Sequence, residues 1–112
     1  NFGPASDQNF SVRELIQLMA EFWDKVDWKD VSEQEQLHEA SLLKLNCDKA
    51  AADLKWRSTL RFKDTARMTV DWFKELYEGT GKQASSIRRF SVNQIQEYTE
   101  LAKKFGRLWA TK

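Results

Sequence analysis

One cysteine, one proline, one histidine and four glycines in 112 residues remove several classes of protein at once. A lone thiol, Cys47, cannot close an internal disulfide, so nothing points to a secreted, cross-linked scaffold. A lone imidazole, His38, without cysteine or histidine partners at ligand spacing excludes a standard zinc site. The glycines, at 3, 79, 81 and 106, are too scattered for a glycine-rich turn that would face a pyrophosphate. No apolar run approaches the roughly 18 residues a membrane helix needs, and no charged stretch precedes an apolar signal core. These absences predict a cytoplasmic protein with no membrane partner.

What is present is ordinary for a folded domain: 41% hydrophobic and 31% charged residues. A chain this short makes one domain with one modest core. Asn1 stands where a native start would carry Met, as a fragment or a processed product would. The net charge of +1 conceals an asymmetry. Residues 24–39 hold six carboxylates against two lysines, a net −4, whereas residues 79–112 hold seven cations against two glutamates, a net +5. The basic residues are spread out and not interleaved with aromatics at stacking spacing. They read as a solvated helix face, and nucleic acid is not an expected partner.

The segment 1–10 opens with a Gly-Pro pair and small polar residues, an extended lead-in. Ser11-Val-Arg-Glu14 is a capping box, with Phe10 and Leu15 placed for a hydrophobic staple. It predicts a helix over 12–24 whose apolar face carries Val12, Leu15, Ile16, Met19, Phe22 and Trp23. Residues 26–31 alternate apolar and charged, which predicts a short strand, and residues 42–45 offer a second. Asn46 can cap a short helix through Leu54. A longer helix is predicted over 62–78, with Phe62, Ala66, Thr69, Val70, Phe73, Leu76 and Tyr77 inward and Gly79 as its stop. Residues 80–90 read as a linker. Ser91-Val-Asn-Gln94 offers a second capping box, opening a helix with Val92, Ile95, Tyr98, Ala102 and Phe105 on one side and Gly106 at its end. The expected fold is a mainly helical α+β lobe of three substantial helices, one short helix and two or three short strands.

Few side chains invite chemistry on their own. Cys47 falls in the first turn of a helix but has no candidate base nearby in sequence, and reads as an inert, partly buried thiol. Trp23 and Trp72 lie on apolar stripes and Trp56 follows the short helix as an anchor, so packing is their expected role; Trp28 and Trp109 are open. Asp53 and Asp71 read as solvated charges. Lys44 alternates with Leu43 and Leu45, which turns its ammonium away from them toward either solvent or a phosphate.

Leu45-Asn-Cys-Asp-Lys-Ala-Ala-Ala-Asp-Leu-Lys-Trp56 resembles a segment found late in extended short-chain dehydrogenase/reductases that act on nucleotide sugars. Thr69-Val-Asp-Trp72 resembles the end of the helix that follows it there. Asn1-Phe-Gly-Pro4, His38-Glu-Ala40 and Val92-Asn-Gln-Ile-Gln-Glu-Tyr98 are similar to the CDP-glucose 4,6-dehydratase branch in particular. The resemblance runs in order over nearly the whole chain. Four positions depart from it, Ser58 in place of a common Pro among them. Asn46 replaces an Asp. Lys55 stands where a Gly usually follows the short helix, which implies strain of about 1 kcal/mol in a left-handed cap or a different turn. Arg61 replaces the Ser or Thr cap of the long helix, a loss of roughly 1 kcal/mol unless another acceptor substitutes.

The resemblance implies a C-terminal substrate-binding lobe whose parent binds NAD on a Rossmann domain and dehydrates CDP-glucose to its 4-keto-6-deoxy product. No Tyr-x-x-x-Lys pair is present, because Gly81 follows Tyr77 and Ala102 follows Tyr98 at that spacing. No cofactor site and no catalytic residue are therefore expected in this chain alone. The implied partners are the nucleotide sugar and the missing Rossmann domain. His38 and Glu39 are the implied nucleotide contacts, with Lys44 as a phosphate contact. A lobe of a related epimerase or reductase is the nearest alternative, and a stand-alone helical interaction module is the other. A lobe without its Rossmann partner should expose an apolar patch and self-associate weakly.

Overall fold

The computed structural model describes residues 1–4, 7–31, 45–79 and 84–111. The described residues form four helices: α1 Val12–Phe22, α2 Asp48–Leu54, α3 Phe62–Tyr77 and α4 Ala84–Lys104. Helix α3 is the centre, with α1 on one side and α4 on the other.

Helix α1 starts as its local signals dictate. The Glu14 N–H donates to Ser11 Oγ at 3.2 Å, and the Glu14 carboxylate accepts from the Ser11 N–H at 2.7 Å. The helix ends at Phe22, two residues before the expected end, where Trp23 turns extended and its N–H caps the Met19 carbonyl. Residues 26–31 do not form a strand, and no strand occurs among the described residues. The alternation there serves another contact: Arg13 of α1 lies 5.4 Å over the Trp28 ring and pairs with Asp30. Side chains two apart share a side in an extended chain, so one cation holds the segment against α1. Of the second expected strand, residues 42–44 lie outside the described residues, and Leu45 has no strand structure.

A helix clasped from two sides buries more than one stripe. In α3 the buried residues are Ala66, Met68 and Val70, with Val70 at 0% exposure, whereas Tyr77 of the expected inner stripe is 64% exposed. Toward α1, Lys74 Nζ donates to the Phe22 carbonyl at 3.1 Å and the Tyr77 ring stacks on Trp23. Toward α4, Arg67 bridges Asp71 of its own helix at 3.2 Å and Glu97 at 2.5 Å.

Helix α4 departs most from expectation. It begins at Ala84, so residues 84–90 are helical and not linker, and Ser91 lies inside it. Ser91 and Gln94 face α3. The Ser91 hydroxyl donates to the Ile87 carbonyl at 2.9 Å and accepts the Trp72 indole N–H at 3.0 Å, and Gln94 Nε2 donates to the Met68 carbonyl at 2.6 Å. That register turns Val92, Ile95 and Phe105 outward, with Ile95 63% exposed, and leaves Ala102 buried. The helix ends where Gly106 suggested: Gly106 takes φ +62°, and the Arg107 N–H returns to the Ala102 carbonyl at 2.9 Å, a six-to-one closure that suits a left-handed glycine.

The buried set is small: Ala50, Ala66, Met68, Val70, Ala102 and Ala110, with Thr59. The radius of gyration is 17.1 Å, against roughly 13 Å for a compact chain of this length. The fold is open and carries large apolar side chains such as Leu54, Tyr77, Ile95 and Leu108 on its surface.

Candidate functional site

A concave region forms where the N-terminal segment meets α2, and it is built by local backbone chemistry. Asn46 prepares α2: its Oδ1 accepts the Asp48 N–H at 2.8 Å and its Nδ2 donates to the Asp48 carboxylate at 3.0 Å. At the other end Lys55 adopts φ 53°, ψ 25°, a left-handed turn of the kind that favours glycine. The turn returns the Trp56 N–H to the Ala50 carbonyl at 3.2 Å. Trp56 is then met edge-on by Phe2, 5.1 Å away.

The extended segment 1–4 runs beside residues 45–47. Gly3 packs closely: a Cβ there would lie 3.3 Å from Cys47 Sγ, which would have to give slightly, and 3.5 Å from the Leu45 side chain. Asn1 Nδ2 donates to the Asn46 carbonyl at 3.4 Å. Further on, Gln8 Oε1 accepts the Phe62 N–H at 2.7 Å, and Phe10 stacks on Phe62 with ring centres 3.8 Å apart. Gln8 is thus the acceptor that substitutes for the missing cap at Arg61, which makes no side-chain cap bond.

Two cavities open along this seam. The first, of about 730 Å³, is lined by Pro4, Asn46, Cys47, Trp56, Arg57 and Arg107, among others. Arg107 reaches it because the Gly106 turn swings the chain back, and its Nη2 donates to the Ser58 carbonyl at 2.6 Å. Its buried Nε has no partner among the described residues. Arg57 makes no hydrogen bond or ion pair with them either. The second cavity, of about 520 Å³, is aromatic, with Phe2, Phe10, Trp56, Phe62 and Tyr98 in its wall. Thr59, 5% exposed, lines it with a hydroxyl that has no partner among the described residues.

His38, Glu39 and Lys44 lie outside the described residues, so the structure places none of them. Leu45, which follows Lys44 in the chain, lines the first cavity. Nothing in the local sequence singles out the cavity residues Arg57, Thr59 and Arg107. Arg107 and Ser58 are 49 positions apart, and no short-range pattern connects them. The tryptophans take packing roles: Trp23 donates to Glu78 at 3.1 Å, and Trp109 stacks on Tyr98 with centres 5.6 Å apart. Asp53 and Asp71 pair with Lys49 and Arg67 on their own helices. Cys47 is half-buried, and its thiol points toward the Leu45 carbonyl at 3.7 Å. Among the described residues, no group of three metal-ligating side chains occurs and no helix is long and apolar enough to cross a membrane.

The Ser11 N–H and hydroxyl hold the Glu14 carboxyl below its ordinary value. Lys25, with the Trp23 indole, does the same for Glu78, and Glu78 in turn raises Lys25. Glu97 raises the Arg67 guanidinium further above its ordinary range. The Lys25–Glu78 and Arg67–Glu97 pairs tie neighbouring elements together, and the Ser11–Glu14 pair caps α1.

The chain is similar to the CDP-glucose 4,6-dehydratase of Salmonella typhimurium, with 30% identity over 92 residues. The match covers 81% of this chain but 25% of that enzyme, so the chain spans about a quarter of the length of the curated relative it matches. No family model matches the chain. No solved structure matches it either.

Proposed function

We propose that this chain is the nucleotide-sugar-binding lobe of an NAD-dependent 4,6-dehydratase acting on CDP-glucose, and that it is not catalytic by itself. The observation that carries this reading is the likeness to a CDP-glucose 4,6-dehydratase over four-fifths of the chain. Residues 45–56 support it, because they fold into a short helix, a left-handed turn and an aromatic anchor beside a cavity. The four glycines do not fit a dinucleotide turn, and no Tyr-x-x-x-Lys pair exists. Cofactor and proton chemistry therefore belong to a part of the parent outside these residues. In this reading His38 and Glu39 contact the nucleotide, an imidazole bonding phosphate or ribose and a carboxylate accepting from ribose or base. Lys44 meets a phosphate.

The test is a titration of the chain with CDP, UDP, dTDP and GDP, followed by amide chemical shifts. CDP-selective shifts over residues 38–45 are expected. Equal shifts with all four nucleotides, centred on residues 82–107, would reduce the lobe to a basic helix that collects phosphate. A complete lack of shifts would remove nucleotide binding from this chain and favour a helical interaction module.

A further inference from the structure

The aromatic cavity has no part in the nucleotide reading, and its wall holds a buried hydroxyl that the fold leaves without a partner among the described residues. We propose that this cavity binds a neutral, flat aromatic ligand carrying one hydrogen-bonding group, at a site separate from the nucleotide sugar. Three observations carry it. The cavity measures about 520 Å³, within the ordinary size range of small-ligand sites. Thr59 in its wall is 5% exposed, and its Oγ1 is unpartnered among the described residues. Phe2 and Phe10 stay 59% and 48% exposed at the cavity, although each already packs on one ring, Trp56 and Phe62 respectively.

Each observation sets one property of the ligand. No charged side chain lines the cavity among the described residues, so an ion would enter without a counter-charge. The open rings favour a flat aromatic partner, which buries apolar area and stacks at the same time. A buried hydroxyl without a hydrogen bond is costly, and a polar group on the ligand removes that cost. Other polar groups of the wall are already engaged. Gln8 Oε1 accepts the Phe62 N–H at 2.7 Å, and the Thr65 hydroxyl donates to the Arg61 carbonyl at 3.1 Å. A cytosine, with several polar groups along its pairing edge, would leave part of that edge unpaired there. Leu45, next to the expected nucleotide contacts, lines the first cavity and not this one.

2-Naphthol is the probe, titrated into the full chain with amide and methyl shifts recorded. Naphthalene, which lacks the hydroxyl, and 2-naphthoate, which carries a charge, are titrated beside it. Saturable binding of 2-naphthol is expected, with shifts at Phe2, Phe10, Thr59, Leu60 and Tyr98 that added salt leaves unchanged. Naphthalene should bind about five-fold more weakly, and 2-naphthoate about ten-fold. Thr59→Val keeps the shape of the wall without the hydroxyl. It should weaken 2-naphthol about five-fold and leave naphthalene unchanged. The hydroxyl it removes has no partner among the described residues, so the variant should keep the fold, as its amide spectrum would verify. Phe2→Leu, at an exposed ring, should weaken both neutral probes alike. A preference for 2-naphthol that persists in Thr59→Val, or equal binding of all three probes, would overturn the proposal. So would shifts centred on Trp23, Phe73 and Tyr77, which would reduce binding to exposed rings collecting aryl compounds. Displacement of 2-naphthol by cytidine would also overturn it, because the cavity would then belong to the nucleotide site. The nucleotide-sugar reading fails on a different result, the absence of CDP-selective shifts at 38–45.

Discussion

Gln8 and Phe62 are 54 positions apart, yet the side-chain carbonyl of the first accepts the backbone N–H of the second at 2.7 Å. This bond does two things. It satisfies one of the free N–H groups at the start of α3, which every helix leaves unpaired. It also pins the N-terminal segment across the seam where both cavities open, since Gln8 and Phe62 line the same aromatic cavity.

Removing that acceptor should therefore act as a cap deletion at long range. Gln8→Ala is expected to lower stability by about 1 kcal/mol, several degrees in Tm. Arg61→Ser supplies a local hydroxyl at the cap position. It should restore most of the loss in the Gln8→Ala background and add little to the parent chain. Thermal unfolding of the four proteins tests this; an equal gain from Arg61→Ser in both backgrounds would show that Gln8 is not serving as the cap.

The pair Lys25 and Glu78, at 2.5 Å, joins the turn after α1 to the end of α3 and should give the chain two pH limits. Glu78 is held below its ordinary 4.5 by Lys25 first and by the Trp23 indole second. A folded value below the unfolded one means the contribution is complete above about 4.5 and is lost as pH falls through the lowered folded value. Lys25 is raised above its ordinary 10.5. Its contribution is complete below that value and fades as pH rises through the raised one. Both groups are exposed, so the steps should be small and weaken with salt. In Glu78→Gln both limits should flatten, while the separate acid step from Glu14 and Ser11 remains. Tm against pH at low and high salt is the measurement.

Features set by two or three neighbouring residues are legible in the sequence alone. The Ser11 and Glu14 box, Asn46 ahead of α2 and the stop at Gly106 all depend on backbone groups within one turn, whereas the anomalies at Lys55 and Arg61 stand out only against the resembled family. Features set by tertiary contact are not. Residues 26–31 alternate as a strand would, but Arg13 uses that alternation to hold Trp28 and Asp30. Ser91 looks like a cap, but its hydroxyl is the partner of Trp72 across the helix interface, which lets α4 continue back to Ala84. The first cavity escapes a sequence reading for the same reason, because Arg107 arrives beside Ser58 only through the packing of α4. The expected nucleotide contacts His38, Glu39 and Lys44 fall outside the described residues.

The Trp72 and Ser91 contact, at 3.0 Å between half-buried groups, can be isolated by a double-mutant cycle. Ser91→Ala leaves the indole N–H without its protein partner and should cost roughly 1 kcal/mol. Trp72→Phe should cost more in the parent chain than in Ser91→Ala, with a coupling of about 0.5–1 kcal/mol. Strict additivity in denaturant unfolding would mean that the hydroxyl matters only for the α4 backbone at Ile87.

Lys55 holds φ 53° at the end of α2 without the freedom that glycine has there. Its side chain offsets part of the strain, since Nζ donates to the Ala52 carbonyl at 2.8 Å, but that bond is exposed and weak. Lys55→Gly is expected to stabilise the chain by roughly 0.5–1 kcal/mol, the gain from relieving a left-handed side chain less the added entropy of glycine in the unfolded state. Lys55→Ala should be no better than the parent, because it loses the Ala52 bond and keeps the Cβ. Thermal unfolding of the three proteins measures this; a Lys55→Gly chain no more stable than the parent would show that the turn carries no strain.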